Sequence, residues 1–299
     1  MKRDPQTIHK TMAAIKGKNT GLELSLRKEL TRRGIHYQIN SKRAFGHPDI
    51  LFQKEKVAVF CDSEFWHGYN FDEASAIFHS NRPFWVEKIK RNIARDKLVN
   101  QTLAEEGYKV LRFWGKELEG DILSCADKVE EALNYRRQVL EKCQAITVKT
   151  TLAYIEKDDC YLMIFRNKKK NDENKGKWIG VGGHLEGKES YIHAFKREIK
   201  EETGLDVKEY SYFGKVDFIN QDHPGERMFL FKVTSFSGEL IPCNEGELAW
   251  IEKEKLNELP MWEGDKRFLP LLDQERKKPF HMAVKYDKEG NLEDFIPYF

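Results

Sequence analysis

The chain has 299 residues, 40% of them apolar and 12% aromatic, and its 51 Lys and Arg nearly balance 49 Asp and Glu to leave a net charge of +2. This length suits two domains, each with enough apolar residues for a packed core. No run of about eighteen apolar residues occurs, which argues against a membrane span, and the opening MKRDPQTIHK lacks the apolar core of a secretory signal. Cys61, Cys125, Cys143, Cys160 and Cys243 are scattered and odd in number. They point to a reducing, cytoplasmic setting without disulfides or a cysteine-rich zinc site. The charge is unevenly spread: residues 1–145 carry 26 Lys and Arg against 20 Asp and Glu, and the remainder 25 against 29. The basic half is the one expected to meet a polyanion.

Residues 1–18 are polar and basic, with Lys2, Arg3, Lys10, Lys16 and Lys18; they form either a frayed terminus or an arm that neutralises phosphates. Thr20 to Glu23 reads as a capping box opening a helix with Leu22, Leu26 and Leu30 on its buried face, closed by Gly34. HYQIN is a strand. PDILF (48–52) and VAVFC (57–61) are apolar runs joined by Gln53 to Lys56, the pattern of a hairpin. A long helix follows from Pro83 to about Glu106. Trp85, Ile89 and Ile93 share a face on which Asp96 also falls, and a carboxylate on a buried face needs a partner or an ion. Lys88, Arg91 and Arg95 form a separate basic stripe, assigned to DNA. YKVLRFW (108–114) is a strand, and a helix spans about Asp121 to Leu140. The stretch Glu141 to Ala145 is the linker candidate, which gives domains 1–143 and 144–299. Asp49 opens one strand and Asp62 closes the next; two acids so placed either share a metal ion or punctuate strand ends.

The segments KGKNTGLELSLRKEL, GHPDILF, VAVFCDSEFWHG, NRPFWVEKIKRNIARD and GYKVLRFWGKEL occur in that order. Together, over about residues 8–135, they resemble the Vsr family of very short patch repair endonucleases, which nick double-stranded DNA beside a T·G mismatch. The resemblance implies a PD-(D/E)XK-like nuclease fold, a mixed sheet flanked by helices. It also implies a Mg2+ ion held by Asp49 and the Cys61 carbonyl, with Glu23 and Asp96 supporting through water and His67 acting on the attacking water. Phe65, Trp66 and Trp85 match aromatic residues that wedge into the duplex, where a poorly paired step costs least to open. Asp62 stands where some members have histidine and is kept as a ligand. Glu64, Tyr69 and Lys116 stand where some members bind structural zinc, and these side chains cannot rebuild that site, so no zinc is expected.

The second half has strands near 148–156, 160–166, 211–219, 227–234 and 248–251, and a tail hairpin over 279–299 turning at KEGN. Between them runs GHLEGKESYIHAFKREIKEETGL, from Gly183 to Leu205. Ile192, Phe195 and Ile199 give a helical face. Glu198, Glu201 and Glu202 lie at i, i+3 and i+4, where like charges repel unless a cation sits among them. Carboxylate oxygens suit a hard divalent ion such as Mg2+, and Gly204 suits a helix end.

This pattern resembles the Nudix box, with Gly182, Gly183, Glu189, Arg197 and Gly204 at fixed positions. GKWIGVGGHLE, GELIPCNEGELAWI and MWEGDKRFLPLL narrow the likeness to MutT-type 8-oxo-dGTP diphosphatases, and so to a Nudix α/β/α sandwich. The resemblance implies Mg2+ on Glu198, Glu201 and Glu202, Glu201 as a catalytic carboxylate, and Glu245 approaching from another loop. Gly182, Gly183, Trp262 and Asp265 are placed around the nucleotide, and Ile179 replaces a base-contacting asparagine of some relatives. Lys168 to Lys170 either meet the triphosphate or form a solvated loop. The expected chemistry is water attack on a nucleoside triphosphate, giving a monophosphate and pyrophosphate.

The expectation is therefore an α/β plus α+β chain of two domains: a mismatch-nicking enzyme followed by a hydrolase of oxidised purine triphosphates. The rivals are a general nicking enzyme joined to a hydrolase of another nucleotide, and a DNA-binding module with a nucleotide-sensing Nudix domain. Oligomeric state is not legible in the sequence.

Overall fold

The computed structural model describes residues 20–69, 82–170, 172–220, 225–274 and 278–298. The basic residues Lys2, Arg3, Lys10, Lys16 and Lys18 lie outside them. The chain divides into two compact units, Met1–Gln138 and Val139–Phe299.

In the first unit, strands β1 (Gln38–Ile39), β2 (Ile50–Phe52), β3 (Val57–Asp62) and β4 (Lys109–Trp114) form one mixed sheet in that order. β2 and β3 are the expected antiparallel hairpin, and β3 runs parallel to β4. Both faces of the hairpin are covered, so its strands read as continuous apolar runs rather than alternating ones. Val57 and Val59 pack with Leu26 and Leu30 of α1 (Gly21–Arg32). Ala58 and Phe60 point the other way, to Val99 and Leu103 of a long helix over Arg82–Glu105. Ahead of that helix lies a short one, Glu64–His67, so these two are α2 and α3. A further short helix, α4 (Gly115–Gly120), leads into α5 (Ile122–Ala145).

α5 runs about a turn further than the sequence reading gave. Glu141 to Ala145 contains no glycine or proline, and Val139 and Cys143, four residues apart, are both buried. The stretch read as a linker therefore continues the helix.

In the second unit a large mixed sheet has the order β10-β6-β5-β9-β8-β11-β12. Its strands are β5 (Val148–Lys157), β6 (Cys160–Arg166), β7 (Trp178–Ile179, paired with β6), β8 (Asp206–Ile219), β9 (Glu226–Ser237), β10 (Gly246–Glu252), β11 (Phe280–Tyr286) and β12 (Leu292–Tyr298). Period-two alternation again splits the core. Ala153 and Ile155 meet Phe195 and Ile199 of α6 (Tyr191–Thr203). Leu152 and Tyr154 meet Phe268 of α7 (Glu263–Phe268) and Met282. β8 begins five residues before the expected 211, because Asp206 and Val207 already pair with Ser237 and Phe236 of β9. The tail hairpin forms as read, with β11 parallel to β8.

Candidate active sites

The hairpin register builds the first site. Ile50 pairs with Val59, which sets Asp49 opposite the end of β3. Asp49 Oδ2 accepts the Cys61 N–H at 2.8 Å. Its Oδ1 has no hydrogen bond among the described residues. Arg27 Nη2 joins Asp49 to α1, donating to the Asp49 carbonyl at 3.2 Å and to Glu23 Oε2 at 3.0 Å. Burial pushes the Asp49 carboxyl up to about 6, and the nearby charges of Glu23 and Asp62 add to it against the Cys61 N–H and Arg27. A carboxylate that Arg27 neutralises this incompletely fits a divalent ion.

The other wall carries the histidine. His67 Nδ1 lies 2.6 Å from Asp96 Oδ2 and 3.6 Å from Asp62 Oδ1. Burial raises the Asp96 carboxyl, but the His67 hydrogen bond and the charges of His67, Arg112 and Arg95 outweigh it and leave Asp96 below its ordinary value. Asp62, itself buried, takes Arg112 Nη1 at 2.6 Å. One of its oxygens thus meets an arginine and the other faces the histidine. Glu23, Asp49, Cys61, Asp62, His67 and Asp96 all line one cleft of about 980 Å³, together with Phe65 and Trp66.

Phe65, Trp66 and Trp85 form one aromatic cluster, with ring centroids 4.9 to 5.9 Å apart. Phe65 is 38% exposed. Lys88 lies over the cluster, 4.7 Å from the Trp66 centroid, a cation–π arrangement. Arg91 faces Glu87 at 3.8 Å and Arg95 faces Asp96 at 3.4 Å; both arginines are exposed. At the three positions that cannot rebuild a zinc site, Glu64 accepts the Lys116 N–H at 2.6 Å. The Lys116 ammonium stands 3.6 Å from the Tyr69 centroid.

The second site is built on α6, capped by Ser190 and ended by Gly204 in the left-handed region at φ 78°. Arg197 is the cation among the box acids. It bonds Glu189 at 2.6 Å, Glu198 at 2.8 Å, Glu201 at 3.2 Å and the His184 carbonyl at 3.1 Å. The repulsion implied by the spacing is therefore relieved within the protein, before any metal. Glu202 is buried and accepts the Gly182 N–H at 3.2 Å. Burial, reinforced by the charge of Glu198, pushes its carboxyl up to about 7. A Cβ at Gly183 would stand 2.6 Å from the Glu198 carboxyl, so only glycine lets the backbone approach so closely. Glu245 is held by Arg166 and Lys169.

Gly182, Gly183, Glu198, Glu202, Glu245, Ile179, Trp262 and Asp265 line one cleft of about 370 Å³. Glu201 is not on its wall, and its side chain is 60% exposed. The Trp262 indole packs edge-on to Phe218 and Tyr286, with the Lys177 ammonium 4.1 Å from its centroid. Burial alone pushes Asp265 up to about 7. Of the lysine run, Lys168 bonds the Cys243 carbonyl and Lys169 bonds Glu245.

Among the described residues no three metal-ligating side chains are gathered into a ready-made cage. The carboxylates are parted by Arg197, Arg166 and Lys169. Glu198, Glu202 and Glu245 on one wall still fit a hard divalent ion, which completes its shell with water and substrate phosphate. Sequence reasoning missed Arg27, Arg112, Arg166 and Asn174. An arginine at the middle of the apolar strand YKVLRFW was the one available hint.

Two family models match the chain: DNA mismatch endonuclease Vsr over residues 2–73 and the NUDIX domain over 148–272. The Type II nicking enzyme V.NmeDIP of Neisseria meningitidis serogroup C is 44% identical over 140 residues, 47% of this chain and 94% of that protein. The DNA mismatch endonuclease Vsr of Escherichia coli (strain K12) is 30% identical over 117 residues, 39% of this chain and 74% of that protein. The oxidized purine nucleoside triphosphate hydrolase of Danio rerio is 30% identical over 111 residues, 36% of this chain and 70% of that protein.

Proposed function

The chain belongs to the Vsr family through its first unit and to the Nudix family through its second, and we propose that it is a bifunctional DNA-protection enzyme. The first unit nicks double-stranded DNA at T·G mismatches. The second hydrolyses oxidised purine nucleoside triphosphates to monophosphate and pyrophosphate. Mg2+ serves both, and the cytoplasm is the setting.

What supports the nicking reading is Asp49, with Oδ1 without a hydrogen bond among the described residues, in the same cleft as the His67–Asp96 pair. Asp96 holds Nδ1, which leaves Nε2 to take a proton from the attacking water. Asp49 and the Cys61 carbonyl would hold the ion, with Asp62, Glu23 and Asp96 around it. The aromatic cluster supplies an apolar wedge beside the scissile step, and Lys88, Arg91 and Arg95 lie on the same helix for phosphate contact.

In the second unit Glu198, Glu202 and Glu245 would hold the ion from the cleft wall, and Glu201, on the same helix as Glu198 and Glu202, would join them by releasing Arg197 and turning inward. Bound metal supplies neutralisation of the phosphate oxygens. Trp262 offers an aromatic surface to the base, and Gly182 and Gly183 bring backbone to the phosphates. Arg166 and Lys169, now on Glu245, are the cations nearest to hand for a triphosphate.

Two assays of the whole protein test the reading. T·G-mismatched duplex should be nicked well ahead of a matched one; equal cutting makes the first unit a general nicking enzyme. kcat/KM should fall from 8-oxo-dGTP to dGTP to ADP-ribose. Equal values for the first two end the pool-sanitising reading, and preference for ADP-ribose moves the unit to another Nudix class.

We further propose that the two activities are separable. Val139 and Cys143 are buried, and Arg227 donates to the Cys143 carbonyl at 2.9 Å. Fragments 1–138 and 139–299 are expected each to keep their own activity. Fragment 144–299, lacking that bond, should melt lower in a thermal scan. An inactive 139–299 would show that the second unit depends on the first.

A further inference from the structure

Asn174 lies in the polar loop between β6 and β7 and lines the second cleft. Its Oδ1 accepts the Trp262 Nε1–H at 2.7 Å. An indole N–H is only a donor, so this bond fixes which end of the amide faces the tryptophan. Nδ2 is left with no hydrogen-bond partner among the described residues. The backbone beneath is fastened as well: the Asn174 N–H goes to Asp172 Oδ1 at 3.0 Å, and Asp172 is paired with Arg166 at 2.7 Å. The amide is thus held through its oxygen, and its backbone through Asp172, while the two side-chain N–H groups have no partner among the described residues.

Asp265 lines the same cleft, is 6% exposed, and has no side-chain hydrogen bond among the described residues. Ile179, also on the wall, offers no polar group. The base end of the cleft therefore presents one fixed amide donor, one buried carboxyl and one aromatic surface. Asp265 is buried and Asn174 half-buried; a bound base would cover both, and a polar group covered without a partner is costly, which makes the pair effective at rejecting a base that cannot satisfy them.

We propose that Asn174 determines base specificity in the hydrolase site, donating from Nδ2 to the 6-oxo group of a purine whose N1–H is accepted by Asp265. This rests on the Nudix reading and assigns the preference for a guanine base, already part of it, to a named side chain outside the box. A 6-oxo group is an acceptor and matches the amide; the 6-amino group of adenine is a donor and opposes it. Trp262 has two functions here, as the surface beneath the base and as the group that orients the reader.

The test uses the full chain with 8-oxo-dGTP and 8-oxo-dATP, which share the 8-oxo group and differ on the pairing edge. The wild type should favour 8-oxo-dGTP in kcat/KM by about tenfold or more, the scale of one well-placed polar contact. Asn174→Asp keeps an acceptor for the indole and removes the donor. It should lower kcat/KM for 8-oxo-dGTP, chiefly through KM, and raise it for 8-oxo-dATP, so that the preference inverts or vanishes. Asn174→Ala should reduce discrimination without inverting it, because Asp265 still reads N1–H. A purely structural Asn174 would slow both nucleotides alike and leave their ratio unchanged, and that outcome overturns the proposal. A wild type that hydrolyses neither nucleotide overturns the parent reading and this one with it.

Discussion

Asp49→Asn is expected to cut metal-dependent nicking of a T·G duplex by about three orders of magnitude, roughly 4 kcal/mol of transition-state stabilisation. DNA binding should survive, because the aromatic cluster and the basic residues of α3 are untouched. The same substitution should raise stability, and the sign follows from the ionisation. Burial holds the folded carboxyl at about 6, above its unfolded value. The folded state therefore favours the protonated acid, and that contribution is lost as pH rises through about 6. At pH 8 the ionised group costs roughly 3 kcal/mol, which the neutral amide removes while still accepting the Cys61 N–H. A thermal scan of D49N at pH 8 should show a higher Tm, with the gap from wild type closing toward pH 4. Nicking by the wild type should need more metal as pH falls below about 6, since proton and ion compete for one carboxylate. Near-normal cutting by D49N would remove Asp49 from the site.

Glu202→Gln and Glu201→Gln are both expected to lower hydrolase kcat by about two to three orders of magnitude, with smaller changes in KM. Their stabilities should part. Glu202 is buried and pushed up to about 7, so its ionisation above that pH weakens the fold, and E202Q should melt higher at pH 8. Glu201 is mostly exposed and bonded to Arg197. E201Q should melt close to wild type, as expected of an exposed pair. A loss of activity accompanied by gained stability marks a carboxylate kept for chemistry rather than for folding. Unchanged turnover in E202Q would place the ion elsewhere.

Much of both sites was legible because it is local. Glu198, Glu201 and Glu202 share one helix, and their spacing alone clusters them. Asp49 and Cys61 are brought together by a short hairpin whose register follows from two apolar runs. What escaped notice is set by distant pairings. Arg112 reaches Asp62 across fifty residues, and no periodicity links them. Arg197 could be read as a fixed position of a pattern, yet its binding of three acids at once is a matter of rotamers. Asn174 sits in NKKKNDENKGK, whose charge reads as solvated surface, and its role depends on Trp262 eighty-eight residues later. The misread linker has a physical cause too: a strand starting at Val148 signals a new element, but a helix needs only two residues to reach it.

Proteases cut where a stretch of chain can lie extended in their active sites, and a regular helix resists this. α5 ends at Ala145 and β5 begins at Val148. The boundary between the two units falls inside α5, and only two residues part that helix from β5, so the passage from one unit to the next offers no such substrate. In a cell, nicked halves should not arise at this point, and both activities would rise and fall together with a single polypeptide's abundance.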